Sequence, residues 1–243
     1  DLSFQSIPAA GLHGVGLRAL PGNLGQLYRG WRKAGNILAR FKPDVLFFTG
    51  GYLGVPVALA GRRIPSVVFV PDIEPGLALK TILRFAEKIA LSCQDSLKYV
   101  SGENASVSGY PIRKEMRQWD RVKGRAHFDI PEQETVLLVF GGSKGARSIN
   151  QALMACLPAL LQDMHVIHIS GKDNWETISQ AAAGLGDRLA RRYHPFPFLH
   201  EDMGAAFASA DLAVCRSGAS TLGELPFFGL PAILVPYPYA WRY

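Results

Sequence analysis

The chain has 243 residues, 48% of them hydrophobic, and a formal net charge of +6. That length holds one large or two medium domains around a substantial core, and a mean hydropathy of +0.09 reads as a soluble globular protein. No apolar run approaches the roughly 20 residues that span a bilayer, DLSFQSIPAAG lacks the layout of a signal peptide, and Cys93, Cys156 and Cys215 are too far apart to suggest a metal or disulfide framework.

Both ends read as cut. LSFQSIP opens in mid-strand, and PYPYAWRY stops just after an apolar strand with no closing helix, so an internal piece of a longer protein is expected. From Leu2 to Pro43 there is no acidic residue, whereas Arg18, Arg29, Arg32, Lys33, Arg40 and Lys42 are all present. Within this stretch LGQLYRGWRKAGNILARF predicts an amphipathic helix, with Leu24, Leu27, Tyr28 and Trp31 at i, i+3, i+4 and i+7. Core packing explains such a stripe. So does contact with an anionic membrane surface, because aromatics beside Arg29, Arg32 and Lys33 suit that interface.

Short β-branched and aromatic runs then alternate with helical stretches. DVLFFTG, PSVVFV, KIALSC and NASVSGYP predict strands, with a helix over ALKTILRFAEK. The segment Asp72-Ile73-Glu74 precedes a helix expected near Pro75. It reads as a solvated loop, as an acidic group at an acceptor site, or as an Asp-x-Glu metal motif, and no metal is expected. A second basic cluster, RKEMRQWDRVKGR, runs from Arg113 to Arg125. It reads either as a solvated face or as attraction to an anion such as lipid head groups or a diphosphate. No zinc-finger, RNP or helix-turn-helix pattern supports nucleic acid. Residues 114–133, rich in charge and carrying Pro131, predict a linker between two halves.

The second half continues in the same manner: TVLLVFGG, SINQALMACLPALL, MHVIHIS, a helix near NWETISQAAAG, then RRYHPFPF, EDMGAAFASA, DLAVC, STLGEL and PAILVPY. Apolar strands separated by helices indicate parallel sheets covered on both faces. The expected fold is α/β, with two Rossmann-like domains facing a cleft and ligands at the carboxyl ends of the strands.

Two turns carry the chemistry. In GGSKGARSIN, residues 141–150, the spacing is neither a Walker loop nor GxGxxG. Its glycines still let backbone approach an anion, Ser143 offers a hydroxyl, and a helix beginning near Ala146 presents free amides. A tight structural turn is the alternative. In ADLAVCRSGASTLGEL, Ser217, Ser220 and Thr221 surround another helix start, and Glu224 follows Thr221 by three on the same helical face. A carboxylate there repels phosphate but accepts two hydrogen bonds from a ribose diol, unless it is a capping glutamate. Two phosphate-competent turns and one diol-reading carboxylate describe a nucleoside-diphosphate site. His165 and His168, alternating along a strand, read as packed. His194 and His200 read as loop residues, and His127 as part of the linker.

Taken together, GGSKGARSIN, PFLHEDM, ADLAVCRSGASTLGEL and GLPAILVPYP resemble the nucleotide-sugar domain of the MurG family. IPAAGLHGVGLRAL, FKPDVLFFTGGYLGVP, EPG and GYPIR resemble its other half. The resemblance implies a two-domain GT-B glycosyltransferase. It would be an inverting enzyme that moves N-acetylglucosamine from UDP-GlcNAc to an undecaprenyl-diphosphate-linked muramyl-peptide, with no cofactor, peripherally on the cytoplasmic face of the plasma membrane. The domains implied are 1–113 on the acceptor side and 134–243 on the donor side.

Carried over by position, the resemblance puts diphosphate contacts on Gly142, Ser143 and Gly145, with Ser220 and Thr221 opposite, and the ribose on Glu224. Main chain around Phe198 and Leu199 would read uracil, and Arg113 would face the donor. Gly50, Gly51, Tyr52 and Asp72 fall on the acceptor side, and Leu27, Tyr28 and Trp31 on the membrane-contacting surface. The family's catalytic histidine loop is expected before residue 1, and its glutamine pair at or beyond residue 243. Phe69-Val70-Pro71-Asp72 replaces the family's His-Glu-Gln-Asn, Tyr239 and Trp241-Arg242 depart from its pattern, and Pro226 is expected to shorten or bend its helix. Three other readings stay open: a transferase to another lipid, a nucleotide-sugar epimerase, and a non-catalytic nucleotide-sugar or membrane-scaffold module.

Overall fold

The computed structural model describes residues 4–9, 20–100, 102–142 and 144–237. Ser143, Tyr239, Trp241 and Arg242 therefore lie outside the described residues, as does most of IPAAGLHGVGLRAL. The chain divides into two compact units, residues 1–110 and 111–243.

The first unit opens with irregular residues 4–9, where a strand was expected, and continues into α1 (Leu20–Phe41). Four short strands follow: β1 (Leu46–Phe48), β2 (Ser66–Val70), β3 (Lys88–Leu91) and β4 (Ala105–Val107). They pair in parallel in sequence order. The helices α2 (Gly54–Ala60) and α3 (Leu77–Leu83) cross between them. Val68, Val70, Ile82 and Leu91 form the centre of this core.

Helix α1 turns Gly30, Ala34 and Leu38 inward. At Gly30 any side chain would collide with the carbonyl of Pro8, so glycine there allows the close approach. The opposite face leaves Leu24, Tyr28 and Trp31 exposed, with Leu27 at the boundary. Core packing within this unit therefore does not explain the aromatic stripe.

The second unit is a five-stranded parallel sheet in the order β7-β6-β5-β8-β9. Its strands are β5 (Thr135–Phe140), β6 (Met164–Ile169), β7 (Tyr193–Phe196), β8 (Leu212–Arg216) and β9 (Ala232–Val235). The chain runs outward from β5 to β7, then returns past β5 to β8, a topology with its ligand position at the reversal. Pro195 is tolerated in β7 because that strand is an edge.

The TVLLVF run of β5 serves two cores at once. Val136, Leu138 and Phe140 pack under α8 (Met203–Ser209) and α9 (Ala219–Phe227), while Leu137 and Val139 pack under α5 (Arg147–Asp163). The helices α6 (Trp175–Ala183) and α7 (Asp187–Ala190) complete the unit. Helix α9 ends one residue beyond Pro226.

The stretch 114–133 is not a free linker. Residues Lys114–Gln118 form a 3-10 turn, and α4 (Arg121–His127) packs on α8. Met116, Phe128 and Ile130 join the core. The basic cluster is likewise partly consumed. Arg125 is 0% exposed; it donates to the carbonyls of Ser209, Pro131 and Glu132 and to Asp211 Oδ2 at 2.8 Å. Asp211 also accepts from the Val136 amide at 2.8 Å and pairs with Arg121 at 2.7 Å. A buried guanidinium requires such complete pairing, and its partners lie up to 86 residues away in sequence.

Candidate functional site: the carboxyl edges of the two sheets

In the second unit, β5 and β8 are direct neighbours, with Phe140 opposite Cys215. The two phosphate-competent turns therefore emerge side by side. After β5 the chain makes a turn closed by the Gly145 amide on the Gly142 carbonyl, 2.9 Å. Gly142 and Gly145 have φ of 90° and 79°, a left-handed backbone that other residues adopt at a cost. Space beside Gly142 is open, whereas a side chain at Gly145 would overlap the carbonyl of Ser170. Helix α5 follows with no acidic residue in its first turn, so its amino-terminal amides carry an uncompensated positive end. Lys144 is exposed.

After β8, Gly218 caps α9 without a side-chain bond, and Leu222 donates to the Gly218 carbonyl. Ser220 is exposed and Thr221 is buried at the second and third helical positions. This placement removes one alternative: Glu224 stands six positions after the cap, beyond the reach of a capping box. Its side chain is 13% exposed, and Arg113 Nη2 approaches Oε1 at 3.5 Å. Burial raises the Glu224 carboxyl above its ordinary range, against a smaller lowering influence from Arg113. A carboxylate whose ionisation costs desolvation is stabilised by polar groups that donate to it, as a diol does.

The residues expected near a base lie on the same edge. Phe198 and Leu199 follow β7. Leu199 is buried, and Phe198 stacks edge-on against His200 at 4.5 Å with Lys172 over its ring at 6.0 Å. Arg216, at the end of β8, escaped the sequence reading. It donates to Ser148 Oγ in the first turn of α5 at 3.1 Å and to the carbonyl of Pro236 at 2.5 Å. It thereby ties the glycine turn's helix to β9 and sets a cation at the carboxyl edge. The available signal was an arginine directly after a buried strand in VCRSG.

In the first unit, Gly50, Gly51 and Tyr52 follow β1 and Asp72 follows β2, which is its neighbour. Gly50 and Gly51 have φ of 119° and 83°. The loop carrying Asp72 is pinned by its backbone: Ser92 Oγ donates to the Pro71 carbonyl at 2.8 Å, and Ser96 Oγ to the Asp72 carbonyl at 3.3 Å. Partial desolvation raises the Asp72 carboxyl. Glu74 pairs with Lys80 at 2.8 Å. Among the described residues no group of three or more His, Cys, Asp or Glu side chains could hold a metal. Phe69 and Val70 are buried in β2, so of the four residues replacing the family's polar stretch only Asp72 is fully exposed.

His165 and His168 are both buried, as their alternation along an apolar strand predicts. His165 meets His194 at 3.0 Å. His127 stacks edge-on with Trp119 and Phe128. No helix among the described residues is long and apolar enough to cross a membrane.

The profile of the glycosyltransferase family 28 C-terminal domain matches residues 136–242, and that of the family's N-terminal domain matches residues 1–91. A UDP-N-acetylglucosamine--N-acetylmuramyl-(pentapeptide) pyrophosphoryl-undecaprenol N-acetylglucosamine transferase from Roseiflexus sp. (strain RS-1) is 42% identical over 98% of the chain and 62% of its own length. The transferase of the same name from Pelobacter propionicus is 31% identical over 98% of the chain and 67% of its own. The crystal structure of MurG from Acinetobacter baumannii superposes with a TM-score of 0.66 at 26% identity, covering 90% of the chain and 60% of that structure. A UDP-GlcNAc 2-epimerase from Neisseria meningitidis shares the fold alone, with a TM-score of 0.62 at 11% identity over 86% of the chain and 63% of that structure. The chain spans 62% and 67% of the length of these two curated relatives.

Proposed function

The chain belongs to the MurG family of glycosyltransferase family 28, and from that premise we propose that it is the greater part of an inverting N-acetylglucosaminyltransferase acting on a lipid-linked muramyl-peptide. In this reading residues 111–243 hold UDP-GlcNAc and residues 1–110 face the undecaprenyl-diphosphate acceptor. The acceptor's sugar hydroxyl attacks the anomeric carbon of the donor, its proton passes to a general base, and UDP leaves. The amides at the starts of α5 and α9 stabilise the charge growing on the departing diphosphate, with no metal required.

The observation that carries this reading is the placement of Glu224. It is a mostly buried carboxylate, raised by burial above its ordinary range, on the helix that follows β8, beside the glycine turn that follows β5. Diphosphate on the turns and ribose on the carboxylate call for a ribonucleoside diphosphate. Phe198 and Leu199 supply the wall and backbone for the base, and Arg113 steadies Glu224. On the acceptor side, Gly50, Gly51 and Tyr52 offer backbone amides to the lipid diphosphate, and Asp72 offers a carboxylate to a sugar hydroxyl. Tyr28 and Trp31, exposed on a helix free of acidic residues, support peripheral attachment to an anionic inner membrane face.

The test is transfer by the full-length protein from a panel of UDP-sugars to a panel of polyprenyl-diphosphate and diacylglycerol acceptors. Transfer of N-acetylglucosamine to the muramyl-peptide lipid is expected. Epimerisation of UDP-GlcNAc without transfer, or preference for diacylglycerol, would overturn this reading.

A further inference from the structure

Behind the glycine turn runs a chain of buried polar groups that no contact with solvent explains. Tyr193 on β7 places its hydroxyl 2.8 Å from His168 Nδ1, and His168 Nε2 lies 3.1 Å from Asn150 Oδ1. Asn150 Nδ2 in turn donates to the carbonyl of Ser170, 2.8 Å. His168 and Ser170 are 0% exposed, Asn150 is 3% and Tyr193 is 5%.

The partners fix the proton directions at the Asn150 end, and the tyrosine hydroxyl has one competing acceptor, Met154 Sδ at 3.8 Å, well beyond the 2.8 Å to His168. Asn150 spends its amide on Ser170, so its oxygen must accept, and His168 must donate from Nε2. Nδ1 is then a bare acceptor, and the tyrosine hydroxyl donates to it. The imidazole is neutral, in agreement with burial that pushes it down to about 4. The chain ends where the proposed diphosphate seat begins. The Ser170 carbonyl lies against the Cα of Gly145, with no room for a side chain between them, and Asn174 Nδ2 also reaches that carbonyl at 3.4 Å. Gly171, the next residue, packs on Lys144 and Gly145. Asn150 itself stands in the first turn of α5, where its backbone N–H donates to the Ala146 carbonyl at 2.9 Å.

We propose that Tyr193, His168 and Asn150 are positioning residues for the diphosphate turn, a one-way hydrogen-bond relay from the sheet edge that sets the Ser170–Gly171 backbone against which Lys144 and Gly145 are held. The inference rests on the turn being the diphosphate seat. A relay of this kind acts chiefly on phosphate recognition: Ser170 also donates to the Phe196 carbonyl at 3.0 Å, but removing the distal tyrosine hydroxyl deletes neither that bond nor the Glu224 carboxylate. Its loss should therefore separate UDP from uridine.

The test titrates the chain with UDP and with uridine for the wild type, Tyr193→Phe, His168→Gln and Gly142→Val. Removing the tyrosine hydroxyl should weaken UDP roughly three- to tenfold while changing uridine less than twofold. Equal loss for both ligands with Tyr193→Phe would show a structural role only and overturn the relay. UDP binding unaffected by Gly142→Val, with the variant folded, would instead overturn the diphosphate seat itself and the relay with it. Because the core variants could unfold the unit, the wild type supplies an independent measurement. Nitrogen NMR of the His168 ring should show the neutral tautomer protonated on Nε2, and a proton on Nδ1 would refute the proposed direction.

Discussion

Glu224 offers the sharpest prediction. Its side chain is 13% exposed, so a ribose diol binding there displaces little water and donates to a carboxylate shielded from solvent. Hydrogen bonds to charged groups contribute about 1.5–3 kcal/mol. Glu224→Ala should therefore weaken UDP by about 10- to 150-fold. Removing one hydroxyl from the ligand should cost a share of the same energy, so the wild type should prefer UDP over 2′-deoxy-UDP by about tenfold. In Glu224→Ala that preference should vanish, because the carboxylate that reads the hydroxyl is gone.

The pH dependence follows from the sign of the shift. Burial raises the Glu224 carboxyl, so UDP affinity should begin to fall at a higher pH than an ordinary glutamate would give. Arg113 opposes that rise, and Arg113→Ala should move the fall to higher pH still. A raised folded value also means that folding favours the protonated form. The stability tied to this group is present at low pH and lost as pH rises through the raised value. Glu224→Gln should thus raise the neutral-pH melting temperature of the free chain while shrinking the increase that UDP produces. Calorimetric titration and thermal melts read all of this. A UDP preference over 2′-deoxy-UDP that survives Glu224→Ala would refute the assignment.

Four further outcomes are expected. Replacing Tyr28 and Trp31 with serine should lower sedimentation with anionic liposomes while leaving the melting temperature nearly unchanged, because both side chains are exposed and their rings lie 5.9 Å apart on the open face of α1; a large loss of stability would contradict that. Lys144→Ala should weaken UDP much less than Gly142→Val in the same titration, since the backbone of the turn offers the amides. Asp211→Ala should cost about 3–5 kcal/mol in denaturant melts by stranding the buried Arg125, and a loss under 1 kcal/mol would deny the knot its role. As pH falls from 6.5 towards 4, the neutral His168 should cost the fold up to about 1.4 kcal/mol per pH unit, so His168→Gln should flatten the acid limb of stability against pH.

The sequence exposed the alternation of strands and helices because each apolar run is local. It also exposed the two turns, whose glycines and hydroxyls are contiguous. Glu224 was visible as a residue three past Thr221, but not its distance from the helix cap, which depended on where α9 starts. The amphipathic stripe on α1 was legible, whereas the inward face was not, because Gly30 and Ala34 are small and carry no hydrophobic signal of their own. Arg125 misled for a related reason. Its composition reads as solvated charge, and the groups that neutralise it, Ser209 and Asp211, are more than eighty residues downstream. The chain of Tyr193, His168 and Asn150 joins three elements at once, and nothing in the local pattern distinguishes His168 from its neighbour His165.

The Arg125 knot also bears on how such proteins can be recombined. An exchange of donor specificity between relatives that cuts at residue 134, where composition suggests a boundary, would separate Arg121 and Arg125 from Asp211. It would also strip Met116, Phe128 and Ile130 from the incoming sheet. The transplanted half would arrive with an aspartate just before β8 stripped of both its arginines and with an uncovered apolar face. A cut at residue 111 carries the whole knot across, so chimeras joined there should remain soluble where those joined at 134 aggregate. The unit that must travel together is accordingly longer than the sheet and its two glycine-bearing turns, since it reaches back through α4 and the 3-10 turn to residue 111.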